Sequence, residues 1–149
     1  MEFIDKTETR KRVKEILEWI YRVLTHSNLY LIKKINAYEI DDDTDLTSLA
    51  TLNRKNKSTA KKIEIDSYIY EFLDYSSMRL SATGKQYIYL HFMRGISNSD
   101  LKIGYYDDEF NCTYTFTGAY QIEKNIIDEF MYVFSKGIVC YVENNKGEY

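Results

Sequence analysis

The stretch Tyr89–Tyr106, YLHFMRGISNSDLKIGYY, decides how the chain is read. Helical spacing runs up to Arg94, Gly95 comes next, and Ser97 with Asp100 three residues later makes a start signal for another helix. Glycine permits a sharp corner, Ile96 can plug the core, and the Ser97 side chain can cap the first turn of the next helix. Asp100 then sits favourably near the positive end of that helix. Two readings fit: the corner of a helix-turn-helix, or two core helices meeting at a glycine.

Upstream, Tyr87, Ile88, His91 and Phe92 carry the first of these helices, with Ser81 or Thr83 as its cap. Before it, Ile65, Tyr68, Ile69, Phe72 and Leu73 form a stripe at i, i+3, i+4, i+7 and i+8, which predicts a helix ended by SSMRLSATG. Downstream, YYDDEFNCTYT reads as an irregular, partly extended connector. Thr117 is expected to cap a last helix carrying Tyr120, Ile122, Lys124, Ile126, Ile127, Phe130, Met131 and Phe134. GIVCYVE at 137–143 is expected to form a short strand or an ordered tail.

The N-terminal part reads more plainly. Val13, Ile16, Leu17, Ile20, Val23 and Leu24 repeat at helical spacing, Asp5 with Glu8 can cap the start, and HSN at 26–28 should end the helix. LYLIKKINAYEI at 29–40 is ambiguous. Leu29, Ile32 and Ile35 suit a second helix, which is the preferred reading, while Leu29–Ile32 also suits a short strand. DDDTDLTS at 41–48 is a loop by charge repulsion. LNRKNKSTAKK at 52–62 holds five basic residues and no acid, and reads as a polar linker. The expected organisation is an N-terminal helical region at 1–48, a basic linker at 49–62 and a helix-turn-helix-like unit at 63–149. The fold class is mainly α, with a possible short strand near the C-terminus.

Several function classes find no support. The net charge is −3, so affinity for nucleic acid or an acidic membrane must come from local patches. Cys112 and Cys140 make no C-x-x-C pair, and His26 and His91 have no zinc spacing, so no metal or cofactor is expected and a reducing cytoplasm is. The alternating charges of DKTETRKRVKE do not suit a signal peptide, and no apolar run approaches a membrane span. Asp41 to Asp45 fail as a calcium loop, because positions six and twelve are Leu46 and Leu52. His91 is expected to be packed or hydrogen-bonded rather than catalytic. No nucleophile elbow or phosphate loop is present, so an enzyme is not expected.

Two short helices before a longer one is the order of a helix-turn-helix. The last helix opens with small, polar and amide side chains, which suits close approach to base edges. Thr117, Tyr120, Gln121, Lys124 and Asn125 are the candidate base contacts, since Gln and Asn can bind adenine through two hydrogen bonds. Ser97, Lys102 and Lys85 are candidate backbone contacts. Arg54, Lys55, Lys57, Lys61 and Lys62 are candidate phosphate contacts in a DNA-tracking arm.

LSATGKQYIYLHFMRGISNSDLK resembles the Gly-Ile-Ser pattern of sigma-factor region-four domains, and YQIEKNIIDEFMYVF resembles the ending of ArpU-type phage regulators. The resemblance implies a phage-encoded transcriptional regulator of late, packaging or lysis genes that binds double-stranded DNA in the bacterial cytoplasm. Departures are plain. The connector at 103–118 is long, and from Leu80 to Tyr149 six basic residues face nine acidic ones. The amphipathic helix at 6–24 is expected to support a homodimer or contact RNA polymerase. The competing reading is a small phage protein that binds and inhibits or redirects a host protein, since acids and tyrosines suit such a surface.

Overall fold

The computed structural model describes residues 3–53, 60–131 and 141–142. After a short strand, β1 (Phe3–Ile4), helix α1 (Lys6–His26) forms as its spacing predicts. The Asp5 side chain accepts a hydrogen bond from the Glu8 amide at 3.1 Å, and the helix stops at Ser27. Val13, Leu17, Ile20, Val23 and Leu24 are all buried, and each such side chain taken from water stabilises the fold by roughly 1.5–3 kcal/mol. That stripe lies inside the protein's own core, so it is not the surface on which a second copy or a polymerase would dock.

The expected helix at 29–40 does not form. Strand β2 (Tyr30–Ile32) pairs antiparallel with β3 (Ala50–Leu52), Tyr30 opposite Leu52. Residues 33–36 stay out of any helix, and only a single 3-10 turn forms at Ala37–Glu39, because other groups take the backbone here. Tyr89 Oη accepts from the Ile35 amide at 2.8 Å and donates to the Lys33 carbonyl at 2.9 Å, and Tyr114 Oη accepts from the Ala37 amide at 3.1 Å. Buried backbone groups need partners, and two tyrosines supply here what a helix would otherwise have supplied.

The acidic run does form a loop, and it has an occupant. Lys85 is fully buried, and its ammonium donates to the carbonyls of Asp42 and Thr44, the latter at 2.8 Å. Asp41 Oδ1 accepts from the Asp43 amide at 2.9 Å and from Thr44 Oγ1 at 3.0 Å.

Helix α2 spans Ala60–Arg79, and Ile69, Phe72 and Leu73 of its expected stripe are buried. The two ends of the expected linker thus belong to β3 and α2. Helix α3 (Ala82–Ile88) is continued by a π-helical turn over Tyr89–Met93, with the Arg94 amide bonded to the Tyr89 carbonyl at 2.9 Å. An α-helix buries one stripe, whereas here every residue from Tyr87 to Met93 except His91 is buried. The extra residue of the π turn swings Tyr89 and Leu90 inward as well. Ser81 makes no side-chain cap. The first amide of α3, that of Ala82, bonds instead to Asp42 Oδ1 at 2.7 Å.

The corner is as read. Gly95 has φ +77°, Ile96 is buried, and Ser97 Oγ accepts from the Asp100 amide at 3.1 Å to open α4 (Asn98–Ile103). The expected connector is a hairpin, β4 (Tyr105–Asp107) against β5 (Cys112–Tyr114), turned through Asn111 at φ +52°. Helix α5 (Ala119–Phe130) comes next, with Gly118 at its cap position and no side-chain cap bond. Thr117 therefore does not cap it. Strand β6 (Tyr141–Val142) pairs with β1, which supplies the expected C-terminal strand. One core cluster joins α1, α2, α3 and α5, so the fold is mainly α with three two-stranded ribbons among the described residues. No described helix is long and apolar enough to cross a membrane.

A Cβ on Gly95 would overlap Thr25 Cγ2 of α1, and the backbone there disfavours L side chains. Gly95→Ala should therefore lose more than about 1 kcal/mol of unfolding free energy in urea. Adding Thr25→Ala should recover only the steric part, so the double variant should remain less stable than Thr25→Ala alone.

Candidate nucleic-acid interface and the polar cluster behind it

Helix α5 divides cleanly into two sides. Ala119, Ile126, Ile127 and Phe130 are buried, while Tyr120, Gln121, Lys124 and Asn125 are exposed. The four exposed residues lie at i, i+1, i+4 and i+5 and so share one face. Gln121 Nε2 donates to Asn125 Oδ1 at 2.9 Å, which fixes the two amides relative to each other. Thr117 is exposed just before the helix. The structure thus brings together the five candidate base contacts. Ser97 and Lys102 are exposed on α4, and Ser99 Oγ lies 3.2 Å from Tyr120 Oη, tying the start of α4 to the α5 face.

Lys85 is the correction. Its ammonium is enclosed by the 41–44 loop, so it is not available to a phosphate. Arg54, Lys55 and Lys57 lie outside the described residues, and Lys61 and Lys62 fall at the start of α2. Among the described residues, basic side chains of α1 lie beside α5. Arg10 Nε donates to Asp128 Oδ1 at 2.8 Å, and Lys14 shares a cleft of about 350 Å³ with Tyr120 and Glu123.

Four of the nine acids that weigh against an anionic ligand have a basic partner. Asp128 is held by Arg10, Glu109 by Lys34 at 2.8 Å, Glu123 by His91 at 3.1 Å and Asp107 by Arg94 at 2.8 Å. Asp107 and Arg94 are nearly enclosed. Burial pushes the Asp107 carboxyl up, but the Arg94 hydrogen bond and charge outweigh it and hold the carboxyl below its ordinary range. This pair fastens the β4–β5 hairpin to the corner.

Behind the α5 face lies a chain of polar groups that sequence spacing did not announce. Tyr87 Oη donates to Asn98 Oδ1 at 2.6 Å, and Asn98 Nδ2 donates to Glu123 Oε2 at 3.0 Å. The same Glu123 oxygen meets His91 Nε2, and His91 Nδ1 lies 2.8 Å from the Ile96 carbonyl. The His91 hydrogen bond lowers the Glu123 carboxyl against the opposing effect of burial, and Asn98 adds to the lowering. Burial pushes the Tyr87 phenol up. No described buried side-chain N or O lacks a partner, and the cluster links α3, α4 and α5. His91 is packed and hydrogen-bonded, as expected. The only sequence signal for this chain was three polar residues, His91, Asn98 and Glu123, set within otherwise apolar helical faces.

Among the described residues, no group of three His, Cys, Asp or Glu side chains is placed to hold a metal. Cys112 is a half-buried thiol whose Sγ lies 3.8 Å from Asn36 Oδ1.

Replacing Lys85 with Met strands two carbonyls in the 41–44 loop and should lower stability by about 1.5–3 kcal/mol in denaturant titrations. Glu123 and Asp107 both have folded values below their ordinary 4.5 and 3.8, so their stabilisation is complete above pH 4.5 and is lost as pH falls through the lower folded values. Glu123→Gln should make acid unfolding shallower, as read from the melting midpoint between about pH 5 and 2. Comparison with protein-family models, with curated proteins and with solved structures found no match to this chain.

Proposed function

We propose that the protein is a DNA-binding transcriptional regulator whose α5 enters the major groove, in the manner of the ArpU-type phage regulators that its C-terminal half resembles. The observation that carries this is the exposed α5 face. Tyr120, Gln121, Lys124 and Asn125 serve no core purpose, share one side, and include an amide pair already fixed at 2.9 Å. Such a pair suits an adenine edge, and Lys124 suits a guanine or a phosphate. Lys14 on α1 lines a cleft with Tyr120 and Glu123 of the same helix, which gives a phosphate contact a source beside the α5 face. Because Asp107, Glu109 and Asp128 are each ion-paired, the local negative charge is smaller in effect than the residue count suggests.

A second reading has its own observation. Ile103 is 84 % and Tyr106 53 % exposed, at the end of α4 and on β4. Exposed apolar and aromatic side chains of this kind suit a protein partner, and a small interaction module that binds a host protein would use them.

Binding of the purified chain to labelled DNA from its own genome, over a salt series with unrelated competitor, separates the two. Gln121→Ala with Asn125→Ala should weaken binding to the preferred site by at least about tenfold while leaving non-specific binding nearly unchanged. Lys14→Ala should weaken both alike and reduce the salt slope by about 0.9 if it meets one phosphate. Folded protein that fails to bind DNA at low salt would sink the DNA reading and turn attention to Ile103 and Tyr106.

A further inference from the structure

The His91 ring meets two tyrosine rings, and both of its nitrogens lie near an oxygen. Tyr21 of α1 stacks on it with centroids 5.6 Å apart, and Tyr87 of α3 stacks at 5.3 Å, each within 25° of parallel. Nδ1 lies 2.8 Å from the Ile96 carbonyl in the corner, and Nε2 lies 3.1 Å from a Glu123 carboxylate oxygen on α5. A carbonyl and a carboxylate can only accept. Both contacts are hydrogen bonds only when both ring nitrogens donate, and only the imidazolium carries two N–H groups. A cation over the face of a phenol ring is also attracted by it, which favours the charged ring in these two stacks. A neutral ring keeps one of the two contacts and aims a lone pair at the other oxygen.

The surroundings are of mixed charge. On the α1 side the same cleft holds Lys14 and Glu18, and Tyr21 also meets His26 edge-on at 5.8 Å. From α5 come Tyr120 and Glu123, the latter already bonded to Asn98 of α4. On its own segment Arg94 is committed to Asp107. Among the described residues, Glu123 is thus the acid in direct contact with the ring.

We infer that protonated His91 is a positioning residue that pins α5 to the α3–α4 corner, so that losing one proton loosens α5 and weakens whatever its exposed face binds. The pin itself is independent of the proposed function; the consequence for DNA rests on that reading. The contacts set the sign. The stabilisation is present while the ring is charged and Glu123 is ionised, and it is lost as pH rises and the ring becomes neutral.

The test is a set of melting curves of the 149-residue chain over about pH 5 to 8, the range in which histidines change charge. The only other histidine, His26, is exposed at the end of α1 and serves as the control. The wild-type midpoint should fall by about 3 °C or more across the range relative to that of His91→Gln, and His26→Gln should keep the wild-type profile. Parallel wild-type and His91→Gln profiles overturn the inference. Because His91→Gln can fail to fold, the side-chain nitrogen NMR spectrum of the unmodified protein decides independently. Two His91 N–H signals at the acid end, with α5 amide shifts moving as one disappears, are expected. A single signal throughout, or unmoved α5 amides, overturns it. DNA titrations at each end of the range separate the two claims. Diverging melts with no DNA binding at any pH reject the DNA reading and keep the pin, whereas DNA binding that weakens with pH equally in wild type and His91→Gln rejects the pin alone.

Discussion

Gly95 lies so close to Thr25 of α1 that no side chain fits between them, and much of the C-terminal half is arranged by that approach. The positive φ at Gly95 turns the chain at once from the π turn into α4. Residues on either side of the turn then face different partners. Arg94 reaches Asp107 in the hairpin, and His91 reaches Glu123 in α5. A looser corner would leave both contacts to chance. The glycine matters because it lets the hairpin and α5 be fastened to the corner within a few residues of one another.

The fastenings are mostly charged and mostly long-range, which changes what the acidic composition means. Arg10 meets Asp128 and Lys34 meets Glu109 across the two halves of the chain. These pairs are partly exposed, so each contributes little to stability. Their effect is on the field seen by a ligand, since the acids are neutralised where they stand. The Arg94–Asp107 pair differs. With side-chain exposures of 11 % and 1 % it is removed from solvent, and breaking it would leave a buried charge without a partner.

Local signals in the sequence were legible where one short segment determined its own conformation. Asp5 with Glu8, the apolar stripe of α1, and the Gly95–Ser97 corner are of that kind, and all are seen. The failures share a cause as well. Residues 29–40 read as helix because their periodicity cannot show that β3 and the hydroxyls of Tyr89 and Tyr114 claim their backbone from far along the chain. Lys85 read as a surface lysine because its partners are carbonyls, which are the same in every residue and leave no mark in the sequence. The hairpin at 105–114 was visible only as an irregular connector, since its strands are three residues each. Of the candidate interface, the α5 face could be read from helical spacing, while its flanking by Arg10 and Lys14 depends on how α1 packs.

The start of α3 depends on a part of the chain far away in sequence. Ser81 offers α3 no side-chain cap of its own. The missing cap comes from Asp42, forty positions earlier, and the same loop closes around Lys85 one turn further on. The acidic run at 41–44 is thus a structural part of the helix it precedes by forty residues, and a change there is transmitted to the start of α3 and along it to the corner.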